Sequence, residues 1–394
     1  MKVTVSCSGA VSRGLILAER FDVEGILHEL HVPFHGPAHP VLGRMLGDVD
    51  SPYKLTSSRV HTDVPVAVLR RLYARFAEDT DPSTHLPWQR AFDRRTARRL
   101  TAGADIAFVE SMVALETMRR VKEQGTVAVL DRTNTHICYQ QRLLQEEYEL
   151  VGLLSPRLIH DEEGIARAEA EYEEADYICT LSGFARRSFL EMGIPEEKVL
   201  LVPSGVGLMA FRPAHKEDDV FRIIYCGQLT YKKGVHYLLE AFAGLGVPGA
   251  ELWLIGPVDD VFRPVLKRYE GSFVHHGFVP HKELHRYLSQ GSVFVLPSIE
   301  EGLAKVTMEA MACGLPVVAT TNTGAEDVLR DGVDGYIVPI RDPETIAEKV
   351  LKLYEDSSKR AEMGRNAIDR VSRGYTWEDY GTRMIATLQR VVGE

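Results

Sequence analysis

The chain has 394 residues, 45% of them apolar and 26% charged, with a formal net charge of −10. That length exceeds what a single core supports and predicts two domains of a globular protein. The acidic balance speaks against a general nucleic-acid binder, which carries basic charge. Five cysteines, Cys7, Cys138, Cys179, Cys226 and Cys313, are scattered along the chain and read as reduced thiols of a cytoplasmic protein. The start, Met1 to Cys7, is too short for a signal peptide, and no apolar run reaches transmembrane length. Membrane contact is therefore expected only as peripheral contact, on the inner face.

The first half, expected to form a domain over 1–212, offers strands at Lys2 to Cys7, Ile106 to Val109, Thr126 to Leu130, Tyr177 to Thr180 and Val199 to Val202, with helices between them. The stretch from His31 to Arg59 is rich in Gly, Pro and His and reads as loops or short elements. Arg70, Arg71, Arg75, Arg90, Arg94, Arg95, Arg98 and Arg99 cluster in this half. They read first as the solvated faces of two helices, and second as contact with an anionic membrane surface or acceptor.

The second half, 213–375, alternates strictly. Strands are expected at Phe221 to Gly227, Glu251 to Gly256, Phe273 to Val279, Val293 to Leu296, Pro316 to Thr320 and Tyr336 to Val338. Helices are expected at Val235 to Leu245, Arg263 to Tyr269, His281 to Gln290, Lys305 to Cys313, Ala325 to Arg330 and Pro343 to Tyr354. Short apolar strands alternating with helices indicate an α/β fold with a parallel sheet covered on both faces. The remaining 376–394 segment reads as one last helix.

The stretch Glu300-Glu301-Gly302-Leu303-Ala304-Lys305-Val306-Thr307-Met308-Glu309 is the most informative. It follows a strand and opens a helix, so it should lie at the carboxyl edge of the sheet, where ligands bind. Glu301 and Glu309 offer acceptors for sugar hydroxyls, and amides at the helix start can face an anion. Gly227-Gln228-Leu229-Thr230-Tyr231-Lys232-Lys233-Gly234 follows the first strand of this half, and Gly324-Ala325-Glu326 follows a later one.

This ordered set resembles the retaining glycosyltransferases of family four, within the glycosyl transferases group 1. The resemblance implies the GT-B architecture: two Rossmann-like domains facing each other across a cleft, with the C-terminal helix crossing back to the first domain. It implies a metal-independent enzyme moving a hexosyl unit from a UDP- or GDP-sugar to an acceptor hydroxyl. The acceptor would be a glycan, a lipid-linked or a small molecule, in glycan, glycolipid or secondary-metabolite biosynthesis. By the same resemblance, Lys233 meets the donor diphosphate, Glu309 holds the ribose diol and Glu301 bonds the donor sugar. Gly227, Gln228, Gly302, Leu303, Ala304 and Lys305 line the donor site, and the base packs near Phe278 and Val279. In the first domain, Gly9 and Ala10 lie near the phosphates and His136 faces the donor sugar. The catalytic set is Glu301, Lys233 and His136, with no metal and no cofactor beyond the nucleotide sugar.

Three positions depart from the family pattern: Gln228 where Arg is usual, Gly207 where many relatives have Asp, and Ala304 where many have Gly. Lys232 or Arg13 is available to replace the missing charge. Gln228 also keeps alternatives open: a catalytically impaired nucleotide-sugar-binding module, or a pseudo-glycosyltransferase acting on a cyclitol-type donor. Asp48 and Asp50 have a metal-pair spacing but no supporting strand, and read as a loop. His281 and His285 are spaced i, i+4 without a protease glutamate, and read as structural or surface residues.

Overall fold

The computed structural model describes residues 1–8, 13–34, 55, 57–76, 86–153 and 161–393. Gly9, Ala10, Asp48 and Asp50 lie outside the described residues. Strands buried on both faces must be apolar nearly throughout, and the chain supplies two sets of them. The first set is β1 (Val3–Ser6), β2 (Leu27–Val32), β3 (Val60–Thr62), β4 (Ile106–Glu110), β5 (Val127–Asp131), β6 (Tyr177–Thr180) and β7 (Val199–Leu201). The second is β8 (Arg222–Cys226), β9 (Glu251–Ile255), β10 (Val274–Gly277), β11 (Val293–Leu296), β12 (Val317–Thr320) and β13 (Gly335–Val338).

Each set forms one parallel sheet. The orders are β3-β2-β1-β4-β5-β6-β7 and β10-β9-β8-β11-β12-β13. In both, the chain starts in the middle, runs to one edge, then returns and runs to the other. The crevice where the direction reverses lies beyond the carboxyl ends of β1 and β4 in one sheet, and of β8 and β11 in the other. The registers are continuous there, with Val5 opposite Phe108 and Ile224 opposite Phe294.

Two expectations need correction. The strands β2 and β3 were not anticipated: Leu-His-Glu-Leu-His-Val carries three polar side chains in six, yet Glu29 and His31 are each only 2% exposed. The expected helix from Ala325 to Arg330 is a single 3-10 turn, Ala325–Asp327, entered through the left-handed Gly324.

After β13 come helices Pro343–Glu355 and Ser357–Ser372, then Trp377–Gly393. This last helix leaves the second sheet. Its Tyr380, Met384 and Leu388 are fully buried in one cluster with Val3, Val5, Phe21 and Leu30 of the first sheet's core. No helix among the described residues is long and apolar enough to cross a membrane.

Several of the clustered arginines are engaged in the structure. Arg95 Nε donates to Asp63 Oδ2 at 2.5 Å, Arg99 Nη1 lies 3.1 Å from the same oxygen, and Arg90 pairs with Glu163. Arg70 Nη1 donates to the Ser8 carbonyl at 2.6 Å and lies over the Trp88 ring.

Candidate nucleotide-sugar site

A cavity of about 660 Å³ opens at the carboxyl edge of the second sheet, beside the crevice between β8 and β11. Its wall is built from three consecutive strand ends. Cys226, Gly227 and Gln228 come off β8, Ile255, Gly256 and Pro257 off β9, and Leu296 with the glutamate segment off β11. Lys233, Phe278, Val279, Glu301, Leu303, Ala304, Lys305 and Glu309 also line it. Among the expected positions in this half, only Gly302 is not part of the wall.

Local backbone chemistry explains how these groups converge. Gly234 has φ 63°, and a Cβ there would stand 2.0 Å from the Pro297 carbonyl oxygen. Only glycine allows the Lys233 turn to press against the end of β11. The helix Lys305–Ala312 begins at Ala304 without a side-chain cap, so its first amides keep donor capacity toward the cavity. One helical turn further, Glu309 sits 8% exposed in the wall.

The charges are paired. Lys233 Nζ donates to Glu301 Oε1, which also accepts from Ser298 Oγ at 3.1 Å. Glu309 Oε1 lies 2.8 Å from His281 Nε2, and the hydrogen bond to this carboxylate raises the His281 pKa above its ordinary value. His281, read from the sequence as a structural or surface residue, is exposed and lines the same cavity. Its i, i+4 spacing to His285 says nothing of this contact, because the relevant neighbour, Glu309, is 28 residues away.

Glu300 was also missed, although it stands beside Glu301. It is wholly buried and joins the two halves. Its Oε1 accepts from Thr135 Oγ1 at 2.7 Å, and its Oε2 accepts from Gln140 Nε2 at 2.6 Å. Lys232 Nζ lies 2.7 Å from the same Oε2. Burial pushes this carboxyl up, but the Lys232 charge and the donated hydrogen bonds outweigh it and hold the group at about 2. Lys232 is thus committed to Glu300, and Arg13 to Asp131 at 2.7 Å. Neither is on the cavity wall beside Gln228.

Gly302 serves the boundary between the sheets rather than the cavity. Its carbonyl accepts from Ser182 Oγ. Further contacts cross the same boundary: Gly183 N donates to Asp327 Oδ2 at 2.7 Å, and Arg187 Nη2 to Glu326 Oε2 at 3.1 Å. Glu147 accepts from Arg341 Nε at 2.7 Å and lies 2.8 Å from His236 Nε2.

The structure does not bring His136 together with the cavity residues. It caps the helix Ile137–Leu150, its Nδ1 accepting from Cys138 N at 3.2 Å. The ring packs on Tyr172 and Phe189. Burial, then the nearby Arg132 charge, pulls its pKa down to about 4, so it is neutral at ordinary pH.

Two solved structures share the architecture of this chain end to end. Sucrose-phosphate synthase from Thermosynechococcus elongatus superposes with a TM-score of 0.73 at 18% identity, covering 100% of both chains. Anabaena HepE, in complex with UDP, gives 0.68 at 16% identity, covering 99% of this chain and 100% of that one. The fold is GT-B. Residues 210–370 match the family model of the glycosyl transferases group 1. The chain is 28% identical over 233 residues to Escherichia coli WcaL, named as a colanic acid biosynthesis glycosyltransferase. It is 26% identical over 239 residues to a GDP-mannose-dependent mannosyltransferase of Corynebacterium glutamicum acting on a monoacylated phosphatidylinositol monomannoside. These matches cover 55% of this chain in both cases, and 57% and 62% of the two relatives.

Proposed function

We propose that the protein is a glycosyltransferase that moves a hexosyl unit from a nucleoside diphosphate sugar to an acceptor hydroxyl in glycan biosynthesis. The observation that carries this reading is the convergence of Lys233, Glu301, Glu309 and the uncapped start of Lys305–Ala312 on one cavity at the carboxyl edge of β8 and β11. The match of residues 210–370 to the group 1 family and the UDP complexes of HepE support it.

In this reading the donor diphosphate lies against Lys233 and the amides opening the helix. A cation and oriented N–H groups stabilise the charge that grows on the leaving group. Glu309 takes the two ribose hydroxyls with its two oxygens, and Glu301 bonds the sugar. Both carboxylates have partners in the structure, so the donor exchanges places with His281 and Lys233. Transfer proceeds with retention and without a metal at the diphosphate: the departing phosphate oxygen takes the acceptor proton, and no dedicated base is needed. His136, turned into the first domain, acts by positioning the 132–136 loop that carries Thr135 to Glu300. The protein works in the cytoplasm.

A thermal-shift screen of nucleoside diphosphates, followed by donor hydrolysis, tests the assignment. Binding stabilises by RT ln(1 + [L]/Kd), about 2.7 kcal/mol at a hundredfold excess over Kd. No shift with any nucleoside diphosphate sinks it. Gln228 on the cavity wall favours one second reading, a module that binds nucleotide sugars without turning them over. Tight nucleotide binding with no turnover on any acceptor or on water would decide for that reading.

A further inference from the structure

The first sheet carries a second constellation, far in sequence from the donor site. Glu29 and His31 lie two apart on β2, and His61 on β3 is the register partner of His31. All three therefore project from one face of the sheet. Glu29 Oε1 is 3.3 Å from His31 Nε2, and Glu29 Oε2 is 3.4 Å from His61 Nε2. One ligand atom from each residue lies within 4.8 Å of the other two. Neighbouring ligand atoms about 2.1 Å from a tetrahedral zinc stand about 3.4 Å apart.

Three buried polar atoms on this face make no well-formed hydrogen bond among the described residues. His31 is 2% exposed, and its Nε2 stands 3.3 Å from Glu29 Oε1 as an ion pair without a well-formed hydrogen bond. Ser6 Oγ and Thr4 Oγ1 on β1 are likewise buried and unpartnered. Ser6 and Thr4 are the register partners of His31 and Glu29, so they share their face. Buried polar atoms are ordinarily satisfied, and a cluster of exceptions needs an explanation. The carboxylate is held from behind: Thr101 N donates to Glu29 Oε1 at 3.0 Å and Thr101 Oγ1 to Oε2 at 3.1 Å. Such outer bonds are how proteins orient metal-binding carboxylates.

We propose that Glu29, His31 and His61 form a zinc-class divalent cation site that pins the edge strand β3 to β2. Two imidazoles and one carboxylate leave a fourth position, and His61, 38% exposed, places it toward solvent. Bound there, the cation meets the His31 nitrogen and clips together strands separated by the 33–59 connection.

The test uses the full chain, freed of metal by chelation and titrated with Zn2+ against a chromophoric competitor. One tight equivalent is expected, accompanied by a rise in Tm. His61→Ala removes a half-exposed ligand and should weaken binding by more than the ~10–100-fold that loss of an outer partner costs. His285→Ala, a partly exposed histidine on a helix of the second domain, should bind as the native chain does. Co2+ should give the intense visible bands of a tetrahedral centre. Absence of stoichiometric binding, equal affinity in His61→Ala, equal weakening in His285→Ala, or weak octahedral bands would each overturn the proposal. None of these readouts depends on glycosyl transfer, so the two assignments stand or fall separately.

Discussion

Gly302 and Thr133 touch backbone to backbone across the boundary between the two sheets: a Cβ on Gly302 would stand 1.7 Å from the Thr133 carbonyl oxygen. No side-chain rotation relieves such a clash, because both groups are main chain. Gly302→Ala should therefore hold the domains apart. Small-angle scattering should show a larger radius of gyration than the native chain. Donor turnover should fall at least tenfold, since the two substrates are no longer held in reacting geometry. Native dimensions and rates in the variant would show that the contact is incidental.

Glu300 is the charged counterpart of that contact. Glu300→Gln leaves the Lys232 ammonium without its anion and should cost roughly 3–5 kcal/mol. Because the folded pKa of Glu300 is held at about 2, below its unfolded value, its contribution is complete above the ordinary glutamate pKa of about 4.3. It is lost as pH falls toward the folded value. Urea midpoints taken at descending pH should drop more steeply for the native chain than for Glu300→Gln. Parallel slopes would remove Glu300 from the account.

Within the cavity, Lys233→Ala should lower kcat by roughly 10²–10³ while weakening the free nucleoside much less, as expected of a group that acts on leaving-group charge. Glu309→Ala should instead lower donor efficiency by about tenfold to a hundredfold, the worth of charge-assisted hydrogen bonds to the ribose. Steady-state kinetics with donor varied separates the two. The opposite pattern would exchange their roles.

His281 gives the pair with Glu309 a pH signature. Its folded pKa is raised by that hydrogen bond. The stabilisation is thus fully present below the unfolded histidine value, about 6.5, and disappears as pH rises through the folded one. His281→Ala should flatten this part of the stability profile, read by thermal melts across neutral pH. An unchanged profile would mean that the contact has no energetic weight.

The second sheet could be read from the chain almost strand for strand, because its central strands β8, β9, β11 and β12 are short apolar runs that each lead into a glycine-containing turn. Eleven of the expected donor-site positions fall in that half, and the strand ends bring all but Gly302 to one wall. What escaped had a physical reason. The strand β2 was hidden because its polar Glu29 and His31 break the apolar pattern. Glu300 and His281 were hidden because their partners, Thr135, Gln140 and Glu309, are distant in sequence. Spacing along a chain reports neighbours on one element, and these residues act between elements. His136 was assigned to the donor sugar by resemblance alone, and its nitrogen is used as a helix cap.

The helix Trp377–Gly393 has a bearing on the order in which the protein is assembled. Tyr380, Met384 and Leu388 fill the core built on β1 and β2, yet they leave the ribosome after every strand of the second sheet. At about 5–20 residues per second, the N-terminal half spends many seconds with an open apolar groove along the helix Arg13–Val23. That groove closes only when the chain has doubled back across both domains, so the first core is finished last.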